Sequence, residues 1–134
     1  MITELHNVYV SRELALLLKQ AGFDWKCREY YYNFTTTGWS LNFDDNFVNW
    51  NSWSELYISA PTLEVAQRWL REEKNLILLI DMAPSYCNGK PMGYKFVIHV
   101  SCGNHIFGEW KDTYEEAQEA GIKKTLEMIL EKRG

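Results

Sequence analysis

The chain has 134 residues, 46% of them hydrophobic and 24% charged. That is the composition of an ordinary folded domain and excludes intrinsic disorder. With Lys+Arg 14 against Asp+Glu 18 and a formal net charge of -4, general attraction to a phosphate backbone or an anionic membrane surface is excluded as well.

The start, Met1-Ile2-Thr3-Glu4-Leu5, has neither the basic segment nor the apolar core of a secretory leader. A helix is expected next. Ser11 caps it, Glu13 suits the positive end of its dipole, Gly22 stops it, and Leu14, Ala15, Leu17, Leu18 and Ala21 make its apolar stripe.

Residues 23 to 57 are crowded with aromatics. Arg28 to Phe34 and Trp39 to Phe43 read as two strands joined at Thr35-Thr36-Thr37-Gly38. Along the second, Trp39, Leu41 and Phe43 share a face. Asp44-Asp45-Asn46 breaks the pattern and reads as a loop. The stretch Asn49-Trp50-Asn51-Ser52-Trp53-Ser54 is too polar for a central strand and too aromatic for an idle linker.

Pro61 marks a boundary. Thr62 then caps a helix with Leu63, Ala66, Trp69 and Leu70 inward, ended by Asn75. Leu76 to Ile80 does not alternate, which is the pattern of a strand buried on both faces. Pro84 to Pro91 reads as a loop, with Asn88-Gly89 in it. From Tyr94, the residues Tyr94, Phe96, Ile98 and Val100 face one way and Lys95, Val97 and His99 the other. Gly103-Asn104 turns the chain into a strand from Ile106 to Trp110. Thr113 and Glu116 form a capping box for a last helix, whose stripe runs through Tyr114, Ala117, Gly121, Thr125 and Met128.

The expected fold is α+β and a single domain over 1–134. Residues 61–134 form an α-β-β-β-α unit, an antiparallel sheet packed by helices at 62–74 and 113–131. Residues 1–60 add the N-terminal helix and an aromatic β-hairpin, which extend the sheet or form a lobe on it.

Candidate chemistry is sparse. His99, Cys102 and His105 give an H-x-x-C-x-x-H spacing that suggests zinc. Strand alternation points His99 and Cys102 to opposite faces, and a fourth ligand would have to be the distant Cys87 or His6. No metal and no cofactor is therefore expected. Cys102 with either histidine is the only local nucleophile–base pair, and it lacks a helix N-terminus to lower its pKa. Phosphate-cradling glycine loops and the serine elbow are absent. The three cysteines, Cys27, Cys87 and Cys102, are odd in number and widely spaced, which reads as reduced thiols in a cytoplasm.

The aromatic segment exceeds what a core needs. Trp50, Trp53 and Tyr57, with Asn49 and Asn51, are the candidate binding residues, since Trp and Tyr dominate binding hot spots.

Two resemblances follow from these residues. The order helix-strand-strand-strand-helix is similar to the double-stranded-RNA-binding domain, whose second helix offers lysines to phosphates. Here that turn holds Asp112, Glu115 and Glu116, so nucleic-acid binding is not expected from it. The chain also resembles small uncharacterised proteins of Bacteroidetes phages and mobile elements. That likeness is carried by Ser59-Ala60-Pro61-Thr62 with Ala66 to Glu72, by Thr113 to Ala117 with Glu119-Ala120-Gly121, by Val10-Ser11, Ala21-Gly22-Phe23-Asp24 and Asn49-Trp50-Asn51. It implies a prokaryotic or phage cytoplasmic origin and no assigned activity.

The function expected is that of a non-enzymatic accessory protein acting through protein contacts or self-association, homodimerisation included, without a membrane. The alternatives are a small-molecule or carbohydrate binder using the same segment, and a weak nucleic-acid binder.

Overall fold

The computed structural model describes residues 9–83, 93–100 and 103–133. His6, Cys87, Cys102 and the loop expected over Pro84 to Pro91 lie outside the described residues. The elements run α1 (Arg12–Ala21), β1 (Cys27–Asn33), β2 (Trp39–Val48), a 3-10 turn (Trp50–Ser52), β3 (Tyr57–Ser59), α2 (Leu63–Lys74), β4 (Ile77–Ala83), β5 (Gly93–His99), β6 (His105–Phe107) and α3 (Tyr114–Arg133). The fold is α+β.

Each helix begins where a short polar side chain satisfies an orphan amide. Ser11 Oγ accepts from the Leu14 N–H at 3.2 Å, and Thr62 Oγ1 from the Val65 N–H at 3.2 Å. Helix α1 ends at Gly22, whose φ of 99° closes the last turn through bonds to the Leu18 and Lys19 carbonyls. Asn75, φ 56°, does the same for α2. The capping box of α3 is reciprocal: Thr113 Oγ1 accepts from the Glu116 N–H at 3.1 Å, and Glu116 Oε1 from the Thr113 N–H at 3.1 Å. Replacing Thr113 by alanine removes one arm and should cost about 1 kcal/mol. A thermal melt lowered by about 2–5 °C checks it.

The strands form two antiparallel sheets, ordered β2-β1-β3 and β4-β5-β6. The aromatic hairpin therefore builds a sheet of its own, closed by β3, a strand too short to carry a periodic signal. Asp44-Asp45-Asn46 is not a loop between elements but part of β2. The register shifts between Cys27↔Val48 and Glu29↔Phe43, leaving extra residues on β2 as a bulge. Asp44 holds that bulge, its side chain accepting from the Asn46 N–H at 2.9 Å and its carbonyl from Arg28 Nε at 3.1 Å.

One buried cluster joins α1, β3, α2, β4, β5 and α3, with Leu14, Leu18, Phe23, Ile58, Trp69, Leu70, Ile98, Ile122 and Leu126 at its centre. Helix α3 lies on the inner face of β4 and β5. Its Gly121 permits the approach: a Cβ there would stand 2.5 Å from Leu78 Cδ1 and 2.8 Å from Phe96 Cβ. Beside it Gln118 is fully buried, yet satisfied. Its Nε2 donates to Gln67 Oε1 at 2.8 Å and to Glu64 Oε1 at 3.2 Å, and Gln67 Nε2 donates to the Leu78 carbonyl at 2.7 Å. This side-chain relay ties α3, α2 and β4 together.

Strand β4 departs from its expected two-sided burial. Leu78 and Ile80 face α3, but Ile77 and Leu79 are 44% and 51% exposed on the other side. No described element covers that face. Strand β6 is also shorter than expected, stopping at Phe107. The chain then swings so that Lys111 bridges to Tyr94 by paired backbone bonds of 2.6 and 2.8 Å.

Candidate functional site

Alternation along β1 sorts its tyrosines. Tyr31 turns inward, and its hydroxyl donates to the Val10 carbonyl at 2.7 Å. Tyr30 and Tyr32 turn outward. Strand β3 sets Tyr57 directly opposite Tyr32, and the 3-10 turn after β2 delivers Trp50 and Trp53 to the same side.

The rings form one connected layer. Tyr30 stacks on Trp50 with centroids 4.1 Å apart, and Trp53 lies 4.8 Å from Trp50 and 5.1 Å from Tyr57. Tyr57 is 4.9 Å from Tyr32, which meets Phe34 edge-on at 4.7 Å. These are the separations at which ring quadrupoles attract.

Within the layer the five candidate residues have different jobs. Trp50 is not on the surface. It is 3% exposed, its indole N–H donates to the Cys27 carbonyl at 2.8 Å, and Tyr30 covers one of its faces. Its polar atom and its apolar area are both consumed by the fold, so Trp50 and Trp53 are not exposed together. Trp53 is 55% exposed and Tyr57 half-buried. Asn51 is a clamp: Nδ2 donates to the Phe23 carbonyl at 2.9 Å and Oδ1 accepts from the Ser59 N–H at 2.9 Å. Asn49 Oδ1 is buried with no hydrogen-bond partner among the described residues. Sequence reasoning missed Tyr30, Tyr32 and Phe34. Their signal was the Tyr30-Tyr31-Tyr32 run, in which alternation puts two of three rings on one face, but which face required β3.

Lys19 of α1 supports the layer from beneath. Its ammonium donates to the Ser54 carbonyl at 3.0 Å and the Tyr57 carbonyl at 2.9 Å, and burial depresses its pKa. The Tyr30 hydroxyl is pushed up, first by burial and then by the nearby Asp44 carboxylate. Burial likewise pushes the Cys27 thiol up, which makes it a poor nucleophile at neutral pH.

Elsewhere charged groups pair with each other. A shallow cleft of about 300 Å³ between α1 and α3 holds Glu13, Glu119 and Lys123, and Lys123 is already bonded to Glu13 at 3.1 Å. Asp112, just before α3, and Glu115 and Glu116 in its first turn are exposed to solvent. The outer face of β4-β5-β6 carries Leu79, Val97 and Phe107 in one cross-strand row. Lys95 sits beside it, its ammonium 5.0 Å from the Phe107 ring and 4.7 Å from the Trp110 ring. His99 and His105 face each other across β5 and β6. No cluster of three or more potential metal ligands occurs among the described residues.

No family model, curated protein or solved structure matches the chain. Among the described residues no helix is long and apolar enough to cross a membrane.

Proposed function

We propose that this chain is a non-enzymatic interaction protein that holds a protein partner on the outer aromatic face of the β2-β1-β3 sheet. The observation that carries the reading is the layer of Tyr32, Phe34, Trp53 and Tyr57, with Phe34 and Trp53 open to solvent over the buried Trp50. Rigid rings seated on a packed base offer contact area at little entropic cost, which is what binding hot spots need. Exposed aromatic faces suit a protein segment that bears arginine or lysine, which can lie over the rings.

The resemblance to small proteins of Bacteroidetes phages and mobile elements would place such an accessory role in a phage or mobile-element setting, in the cytoplasm. Nucleic acid is a poorer occupant. Phosphates would meet the exposed carboxylates of α3, and Asp44 beside the aromatic layer.

Proteins captured from the native host should be purified and titrated calorimetrically against the wild-type chain and against Tyr32→Ala/Trp53→Ala. A loss of about tenfold or more in affinity, with the thermal melt held within a few degrees, supports the reading. Equal affinity, or failure of every captured protein to bind after purification, overturns it. A thermal shift produced by an oligosaccharide and abolished by the same double variant would replace the protein partner with a sugar.

A further inference from the structure

The β5–β6 hairpin places two imidazoles side by side. The Val100 N–H donates to the Asn104 carbonyl at 3.0 Å, and the Gly108 N–H to the Phe96 carbonyl at 3.0 Å. Hydrogen-bonded and non-hydrogen-bonded pairs alternate along an antiparallel ladder. His99↔His105 is therefore a non-hydrogen-bonded pair, the kind in which opposite side chains come closest. Their ring centroids are 4.3 Å apart with the planes at 81°.

The pair sits on the outer face of its sheet, away from α3. His105 is exposed and His99 half-exposed, so both can turn toward a ligand without disturbing the core. Ile77 flanks His99 on β4, and the Phe107 ring is 6.1 Å from His105. The charged residues of that face, Asp81 and Lys95, are two cross-strand rows away. Neither imidazole has an ion-pair partner among the described residues. The cross-strand register brings His99 and His105 onto one side.

We propose that His99 and His105 form a two-imidazole site for a divalent transition metal, copper(II), nickel or zinc. Metal–nitrogen bonds of about 2.0–2.1 Å to two adjacent ligands put the ring centroids roughly 5 Å apart. The observed spacing reaches that by a small opening of two solvent-facing side chains. Neutral imidazole is a borderline donor suited to these ions and poor for magnesium or calcium. Two protein ligands leave the remaining positions to water or to a donor from outside the chain, so the site is open rather than structural.

The test is titration of the full chain with copper(II), nickel and zinc salts, by calorimetry and by ¹H–¹⁵N spectra. Copper(II) should bind tightest of the three, as the divalent series dictates, and magnesium should not bind. His99→Ala and His105→Ala should each weaken copper binding by tenfold or more, whereas His6→Ala should leave it unchanged. Paramagnetic broadening by copper should centre on residues 97–99 and 105–107 of the wild-type chain, a readout that needs no variant to fold. Binding that survives the His99→Ala/His105→Ala double variant would overturn the assignment. So would broadening centred elsewhere, or no copper binding at all.

Discussion

Trp50→Ala should destabilise the protein by about 3–5 kcal/mol, the usual cost of emptying a buried aromatic site. Two losses combine. The cavity opens beside Tyr30, whose ring stands 4.1 Å away, and the Cys27 carbonyl loses the indole N–H that satisfies it at 2.8 Å. Trp50→Phe keeps an aromatic ring in the site but loses the hydrogen bond and part of the indole's volume, so it should fall between the parent and Trp50→Ala, at about 2–3 kcal/mol. Trp53→Ala is the contrasting case. The side chain is 55% exposed, so its removal should cost under about 1 kcal/mol, although it strips the most open ring from the aromatic layer. Urea denaturation of the three variants gives the ordering directly. If Trp53→Ala were as damaging as Trp50→Ala, the layer would be core throughout and the proposed docking face would be lost. If Trp50→Ala were harmless, the buried placement of that indole would be wrong.

What could be read from the sequence was what local chemistry decides. Ser11 with Gly22, Thr62 with Asn75 and Thr113 with Glu116 fix the helices because each cap acts within one turn of its own residue. The inward stripe of α2 was legible for the same reason, and Leu63, Ala66, Trp69 and Leu70 are all buried. The order of elements from α2 to α3 also follows from periodicity, but the division into two sheets does not. That division depends on β3, three residues with no repeat to read, pairing back onto Tyr30-Tyr31-Tyr32. The same non-local pairing decides the fate of Trp50, because its partner is the carbonyl of Cys27, 23 residues earlier. Neither Trp50 nor Trp53 differs from the other in local sequence in a way that says which is inside. Gln118 is hidden for a related reason. An amide on a helix reads as solvent-facing, and only Gln67 and Glu64 from another helix make its burial tolerable. The apolar run at β4 misled in the opposite direction, since Ile77 and Leu79 look interior and have no described neighbour over them.

Gly121→Val should be more damaging than a change at almost any other position of α3, lowering stability by about 3 kcal/mol or more. Glycine inside a helix is itself unfavourable by about 1 kcal/mol against alanine, so something must offset that cost, and close packing on the sheet does. The first carbon added at this position would already sit 2.5 Å from Leu78 Cδ1, 2.8 Å from Phe96 Cβ and 3.1 Å from Phe96 Cγ. The Leu78 methyl can swing aside. Phe96 Cβ cannot, being one bond from the backbone of β5, so relief requires α3 to lift off the strand. Overpacking of this kind costs about 1–3 kcal/mol for a single added group. Gly121→Ala should therefore lose about 1–2 kcal/mol net, its helix-propensity gain being outweighed, and valine's two further methyls deepen the clash. Leu78→Ala supplies the decisive comparison. It opens space on one side of Gly121, so Gly121→Ala should cost clearly less in that background than alone, with a coupling of about 0.5–2 kcal/mol in a double-mutant cycle. Strict additivity of the two substitutions, or a Gly121→Ala protein more stable than the parent, would mean that helix and sheet do not meet at this residue. The relay through Gln118, one turn earlier on the same helix, would then have to hold α3 to β4 without the close contact that Gly121 allows.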